Sequence, residues 1–144
     1  MLTRCIRVRT RCGTDFVDVT DRVQAVVEAS GVREGTVLVF SRHTTAAVHI
    51  NEHEPLLLQD LRRTLARISP PDGAYEHNDL ERRGPVPPDE PRNGHSHCQS
   101  LALNTSETIP VLDGRMLLGR WQRIFLVELD RPCERELVVQ VRGE

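Results

Sequence analysis

Apolar and polar residues alternate at the start of the chain: Leu2, Ile6 and Val8 are set against Thr3, Arg7 and Arg9, the two-residue period of a half-buried strand. A turn at Arg11-Cys12-Gly13 leads to a second strand, Phe16 to Val19, and the two are expected to form a hairpin. The period then changes. Val23, Val26, Val27 and Val32 recur at helical spacing, Thr20 stands where an N-cap belongs, and Gly31 occupies the C-terminal glycine position. Gly35 opens a further strand, Val37 to Phe40.

The stretch from His43 to Asn51 carries the most information. If extended, it points Ala46, Val48 and Ile50 to one side and His43, Thr45, His49 and Asn51 to the other. One face is core-like, and the other bears imidazoles, a hydroxyl and an amide where a solvated strand would more often carry Arg or Glu. Glu52 follows, and Pro55 suits the first turn of a helix striped by Leu57, Leu58, Leu61, Leu65 and Ile68.

Residues 69–94 break the periodicity, with six of the nine prolines between Pro70 and Pro91. A long aperiodic segment inside a compact domain is usually functional or disordered. The polar runs Tyr75-Glu76-His77-Asn78-Asp79 and Asn93-Gly94-His95-Ser96-His97 favour a site loop or lid over a tail. A short helix from His97 to Leu103 is expected next. Ile109–Val111 and Met116–Leu118 flank Asp113-Gly114, a strong hairpin signal. Trp121–Leu129 and Glu136–Val141 are expected to form another hairpin across Arg131-Pro132-Cys133, with Gln122, Ile124, Leu126 and Glu128 on one face.

A chain of 144 residues, 38 % hydrophobic, without internal repeats or a linker, suits one domain over residues 1–144 that folds without disulfides or metal. A net charge of −2 lacks the basic excess of a nucleic-acid binder, and five aromatic residues are too few for a base-stacking or sugar-binding surface. All 19 basic side chains are arginine, so a bound anion must be held by Arg or backbone N–H groups. No apolar run exceeds four residues, and arginine appears from residue 4. That pattern predicts neither a membrane span nor a secretory leader. The four cysteines lack CxxC spacing and are expected to be reduced thiols of a soluble, cytoplasmic protein.

Six histidines, at 43, 49, 53, 77, 95 and 97, fall within one 55-residue window that also holds Glu52, Glu54, Asp60, Glu76 and Asp79. Imidazoles and carboxylates together suit a divalent metal or acid–base chemistry, although polar strand and loop positions would explain any one histidine. There is no HExxH, no Gly-x-Ser-x-Gly elbow, no Walker loop and no GxGxxG. His95 and His97 cannot share one helix face, because two residues turn a helix by ~200°. Glu128, inside an apolar run, is either on a solvated edge or held inside by a partner.

His43-Thr44-Thr45-Ala46-Ala47, Asn51-Glu52, Asp60, Tyr75-Glu76-His77, the Asn93–His97 run, Pro110-Val111 with Gly114, Gly119-x-Trp121-Gln122, Glu128 and Gln140-Val141-x-Gly143-Glu144 resemble the YjbQ family over nearly the whole chain. The resemblance implies an α+β single domain: a mixed, mainly antiparallel sheet forming a flattened barrel-like layer with packed helices. It also implies a homotrimer with a histidine-rich pocket near the subunit boundary. His43, His77 and His97 match its metal positions, for zinc or a similar divalent ion. Asn51, Glu52, Gln122 and Glu128 match its other polar positions, as catalytic or orienting groups. His49, His53 and His95 fall outside that pattern, either standing behind the ligands or simply exposed. Asn104 replaces a usual Gly, tolerable with left-handed backbone. Arg120 replaces a usual Thr, and either faces the pocket to bind phosphate or lies on the surface.

The activity implied is that of secondary thiamine-phosphate synthase, coupling hydroxymethylpyrimidine diphosphate to thiazole phosphate. Metal-assisted hydrolysis of a small phosphorylated metabolite is an alternative. A non-catalytic metal- or metabolite-binding trimer is another.

Overall fold

The computed structural model describes residues 1–144. Its elements are β1 Leu2–Arg9, β2 Asp15–Asp18, α1 Thr20–Ser30, β3 Gly35–Ser41, β4 Ala46–Glu52, α2 Pro55–Ile68, α3 Gly94–Ser100, β5 Ser106–Leu112, β6 Arg115–Met116, β7 Gln122–Glu128 and β8 Glu134–Gly143. Between α2 and α3 the chain is irregular apart from one three-ten turn, Glu76–Asn78. Five strands make one sheet in the order β1-β8-β3-β5-β6, and three make a second in the order β2-β7-β4. Every ladder is antiparallel. A bridge from the Val48 N–H to the Asn104 carbonyl, 2.9 Å, connects β4 to the approach to β5. The two sheets thus continue as one layer curled into a half-barrel, with the helices packed on it.

Only one expected hairpin forms. β5 and β6 pair through Val111↔Met116 and Leu112↔Arg115, around Asp113 and Gly114 at φ 52° and 77°. Positive φ at both central residues matches the twist of the flanking strands. The other two expected hairpins are replaced by long-range pairing. β1 runs along β8 from Leu2↔Val141 to Arg9↔Glu134, while β2 runs along β7 from Asp15↔Glu128 to Asp18↔Phe125. The turns at 11–13 and 131–133 therefore carry the chain from one sheet to the other. Alternation reports which face is buried; it says nothing about which strand lies alongside.

The core has two parts because β7 is buried on both faces. Ile124 and Leu126 join Val23 and Val27 of α1 with the inward residues of the larger sheet. Phe125 and Val127 join Phe16, Ala47, Leu58 and Leu65, beneath α2. This is why residues 124–127 read as a continuous apolar run rather than an alternating one.

Local corrections follow from side-chain geometry. Thr20 is the first residue of α1, not its cap. Asp18 does that work: its Oδ1 accepts the Thr20 N–H at 3.0 Å and the Thr20 hydroxyl at 2.7 Å. Gly31 ends the helix at φ 71°, as expected. At the start of α2 the Glu54 carboxylate accepts the Leu56 and Leu57 N–H groups at 3.0 and 2.6 Å, ahead of which Pro55 needs no partner. α3 begins three residues before the expected His97 and ends at Ser100. Asn104 is not among the residues with positive φ, so left-handed backbone is not the reason it is accommodated; its carbonyl makes the sheet-joining bridge instead. Gly35 is required where β3 meets β8, since a Cβ there would lie 1.9 Å from the Arg142 carbonyl oxygen. No helix is long and apolar enough to cross a membrane, and all four cysteines are free.

Candidate functional site

The candidate residues divide between the two ends of β7. Its first residue, Gln122, pairs with Glu52 of β4, and its last, Glu128, pairs with Ala46. Six steps along a strand of ~3.4 Å rise separate these ends by roughly 20 Å.

At the Glu128 end, a carboxylate with no solvent exposure sits in a complete cage. Oε1 accepts the Thr10 hydroxyl at 2.9 Å, Arg135 Nε at 2.8 Å and the Cys133 thiol at 3.2 Å. Oε2 accepts Arg135 Nη2 at 2.6 Å and the Leu129 and Asp130 N–H groups at 3.2 Å each. Burial alone would raise this carboxyl, but the donors from Arg135, Cys133, Asp130 and Thr10 outweigh it and hold the pKa below the usual range. Arg135 in turn reaches the Thr45 hydroxyl at 3.0 Å. Of the two readings open for Glu128, the partner-held one is realised. With its lone pairs occupied, it is placed to fix the β7–β8 turn rather than to exchange protons with a ligand.

His43 stands beside this pair. Its Nε2 accepts the Glu136 N–H at 3.0 Å, and burial, followed by the charge of Arg135, lowers its pKa. The irregular segment then contributes. Tyr75 anchors it, its hydroxyl donating to the Pro70 carbonyl at 2.6 Å and lying 2.7 Å from Ser69 Oγ, while the Gly94 N–H donates to Asn78 Oδ1 at 2.9 Å. This folding sets His77 against His97 of α3, ring centroids 4.7 Å apart at 69°. Burial, then the positive charges of His77 and Arg83, lower the His97 pKa, against the opposing influence of Asp130. Ser96 of α3 donates to the Leu129 carbonyl at 2.6 Å, which docks the helix that carries His97 on the residue after Glu128. Buried Asn93 donates from Nδ2 to Asp130 Oδ2 at 2.7 Å, yet its Oδ1 has no partner. His95 points elsewhere, toward Tyr75 with centroids 6.4 Å apart, consistent with the helical argument that it cannot share a face with His97.

At the other end, Asn51 Nδ2 lies 3.2 Å from His49 Nε2, and Asn51 Oδ1 accepts the Glu52 N–H at 2.8 Å. The expected polar face of β4 thus forms at His49 and Asn51, while His43 falls before the strand begins. Gln122 is exposed, and its Oε1 closes the preceding turn by accepting the Gly119 N–H at 2.7 Å.

The matched metal positions do not come together within one chain. His77 and His97 make a pair, but no three His, Cys, Asp or Glu side chains group as ligands anywhere. Two imidazoles are half of the four donors that zinc takes. His43 is not grouped with that pair, and its Nε2 accepts a backbone N–H instead.

What the fold and these clusters define is a small α+β half-barrel with an imidazole pair formed between its irregular segment and α3. The chain belongs to the YjbQ family: the model of the UPF0047, YjbQ-like proteins matches residues 4–144. A UPF0047 protein of Methanothermobacter thermautotrophicus is 39 % identical over 142 residues, covering 99 % of this chain and 92 % of its own length. YugU of Bacillus subtilis is 28 % identical over 144 residues, 99 % of this chain and 100 % of its own. A solved YbjQ-like protein of unknown function from Sulfolobus solfataricus superposes with a TM-score of 0.89 at 35 % identity, covering 99 % of this chain and 97 % of the other. A hypothetical protein from Aeropyrum pernix gives the same TM-score and identity with full coverage of both chains.

Proposed function

We propose that the protein is an enzyme acting on a small phosphorylated molecule, with His77 and His97 as its acid–base pair and a homotrimer as its working form. The observation that carries this reading is the contact between two imidazoles 4.7 Å apart, with no hydrogen-bond partner in the chain for either ring. Imidazoles held only for structure ordinarily have one, as His43 and His53 do. The unpartnered Oδ1 of buried Asn93 supports it, since such an atom is costly unless a ligand or water satisfies it. Arg83, whose Nη1 lies 3.1 Å from Glu90 Oε1, is the guanidinium acting on His97 and the group a bound phosphate would draw on. His97, held neutral, takes a proton, and His77 stands beside it to return one.

The divalent ion implied by the resemblance does not fit the donors of a single chain, and no step here is routed through one. If a neighbouring copy supplies the missing donor, a trimer would hold it and a monomer would not. Leu101, 88 % exposed, together with exposed Ile68 and Leu117, supports such assembly. No contact in the cluster selects a pyrimidine or a thiazole, so the thiamine-phosphate coupling finds no support in this geometry.

A phosphate- and diphosphate-release screen over phosphomonoesters, cyclic esters and diphosphates, with and without added zinc or manganese, tests the proposal. Turnover is expected to fall about a hundredfold or more in His97→Ala and in His77→Ala, each still folded. Turnover indifferent to both substitutions, or absent from the whole panel, overturns it. Light scattering of the eluting protein gives the oligomeric state.

A further inference from the structure

The cleft of largest volume in the molecule, about 550 Å³, opens at the other end of β7, away from the imidazole pair. It is lined by Asp18, Glu52, His53, Arg120, Trp121 and Arg123, with Glu54 and Pro55 at the start of α2. Several of these groups are already occupied. Asp18 Oδ1 holds Thr20, and its Oδ2 receives His53 Nδ1 and Arg123 Nε, each at 2.8 Å. Glu54 is bound to the first N–H groups of α2, and Arg123 also reaches Asp21 at 3.2 Å.

Four groups have no hydrogen-bond partner in the chain: the Glu52 carboxylate, the Arg120 guanidinium, the second nitrogen of His53 and the Trp121 indole N–H. The Asp18 carboxylate, held at about 2 by Arg123, Thr20 and His53 despite partial burial, is ionised at neutral pH. It therefore takes a proton-bearing Nδ1 of His53, and in the neutral tautomer so oriented Nε2 is the acceptor. The ring itself is braced edge-on against Phe125, centroids 5.4 Å apart. Arg120, one of the two departures from the family pattern, is exposed and lines this cleft, away from the imidazole pair. Its guanidinium stands over the Trp121 indole, 4.6 Å from the ring centroid.

The free groups are one cationic donor, the neutral indole N–H donor of Trp121 and two acceptors, one of them anionic. Three carboxylates face two guanidiniums in the lining, so the carboxylates outnumber the guanidiniums. A dianionic phosphate is repelled by that balance. A ligand with an ammonium for Glu52 and His53 Nε2, and a carboxylate for Arg120, meets both open charged groups and the open imidazole nitrogen. The indole of Trp121, 62 % exposed, supplies an apolar surface for the remainder.

We propose that this cleft is a binding site for a small zwitterion of the amino-acid type with an apolar or aromatic side chain, its ammonium on Glu52 and His53 and its carboxylate on Arg120. The site stands apart from the imidazole pair and does not depend on the function proposed for it.

Trp121 is the only tryptophan of the chain, so its fluorescence reports on this cleft alone. Three probes separate the terms: L-phenylalanine, phenethylamine, which lacks the carboxylate, and 3-phenylpropionate, which lacks the ammonium. Excitation at the red edge of the indole band avoids their own absorption, and calorimetry gives a second readout. Saturable binding of L-phenylalanine is expected, with each truncated probe about tenfold weaker or more, the loss of one charge-assisted contact. Arg120→Gln should bring L-phenylalanine down to the affinity of phenethylamine, and Glu52→Gln should bring it down to that of phenylpropionate. Both positions lie at the surface of the cleft, and circular dichroism confirms that the variants fold. No saturable response to any probe, or equal affinities for all three, overturns the proposal.

Discussion

Replacing Glu128 by Gln keeps the shape of the side chain and removes its charge. Six donors converge on the two oxygens, three on each. Whichever position the amide nitrogen takes, it therefore faces three donors in place of accepting them, including at least one from Arg135. The Arg135 guanidinium, its side chain only 12 % exposed, is left without its counter-charge. Breaking a buried pair from one side costs about 3–5 kcal/mol. In a domain of this size 1 kcal/mol moves Tm by about 2–4 °C, so a fall of about 6–20 °C is expected. Urea unfolding followed by circular dichroism, with thermal melts alongside, measures it, and Arg135→Met in the same background tests the coupling. If Glu128→Gln costs less than about 1 kcal/mol while turnover is abolished, the residue is a catalytic group and its assignment to the turn is wrong. The pH dependence follows with a definite sign. The folded-state pKa is depressed, so the contribution of Glu128 is present above the unfolded carboxyl value and is lost as pH falls through the lower folded value.

The same linkage applies to Asp18, whose pKa falls from 3.8 to about 2 on folding. Its share of stability should fade between about pH 4 and pH 2. Acid unfolding curves of Asp18→Asn, lower at neutral pH and flatter across that window, would check this. Leu126→Ala empties a fully buried site shared by β7 and α1 and should cost about 2–5 kcal/mol in denaturant titrations without changing the secondary structure. Gly35→Ala forces a Cβ onto the Arg142 carbonyl, so the β3–β8 edge must shift; its amides should lose hydrogen-exchange protection well ahead of those in β7.

Much of the fold can be read locally because its signals are local. The strand of Leu2–Arg9, the helix closed by Gly31, the Pro55 helix start and the Asp113-Gly114 turn each rest on a few neighbouring residues. Pairing is another matter. β1 finds its partner more than 120 residues away, and no alternation of Thr3 and Ile6 encodes that Val139 lies opposite Arg4. The candidate site divides in the same way. His77 and His97 were legible as polar residues in an aperiodic segment, yet their contact depends on how Tyr75 folds that segment. His43 shares their residue type but faces a backbone N–H. His53 carried no weight in the sequence, straddling a strand–helix boundary, because the partner that orients it, Asp18, lies 35 residues upstream. Arg120 could be placed only once the turn before β7 was known.

The most direct test of the central claim is a site-resolved NMR titration of the histidine rings, with and without phenyl phosphate. Burial and the charges of His77 and Arg83 should hold His97 below the ordinary imidazole value of about 6.5 in the free protein. Removing the neighbour in His77→Ala, or supplying the phosphate ester, should move it upward. A His97 that titrates at the ordinary value and ignores both changes would contradict the account.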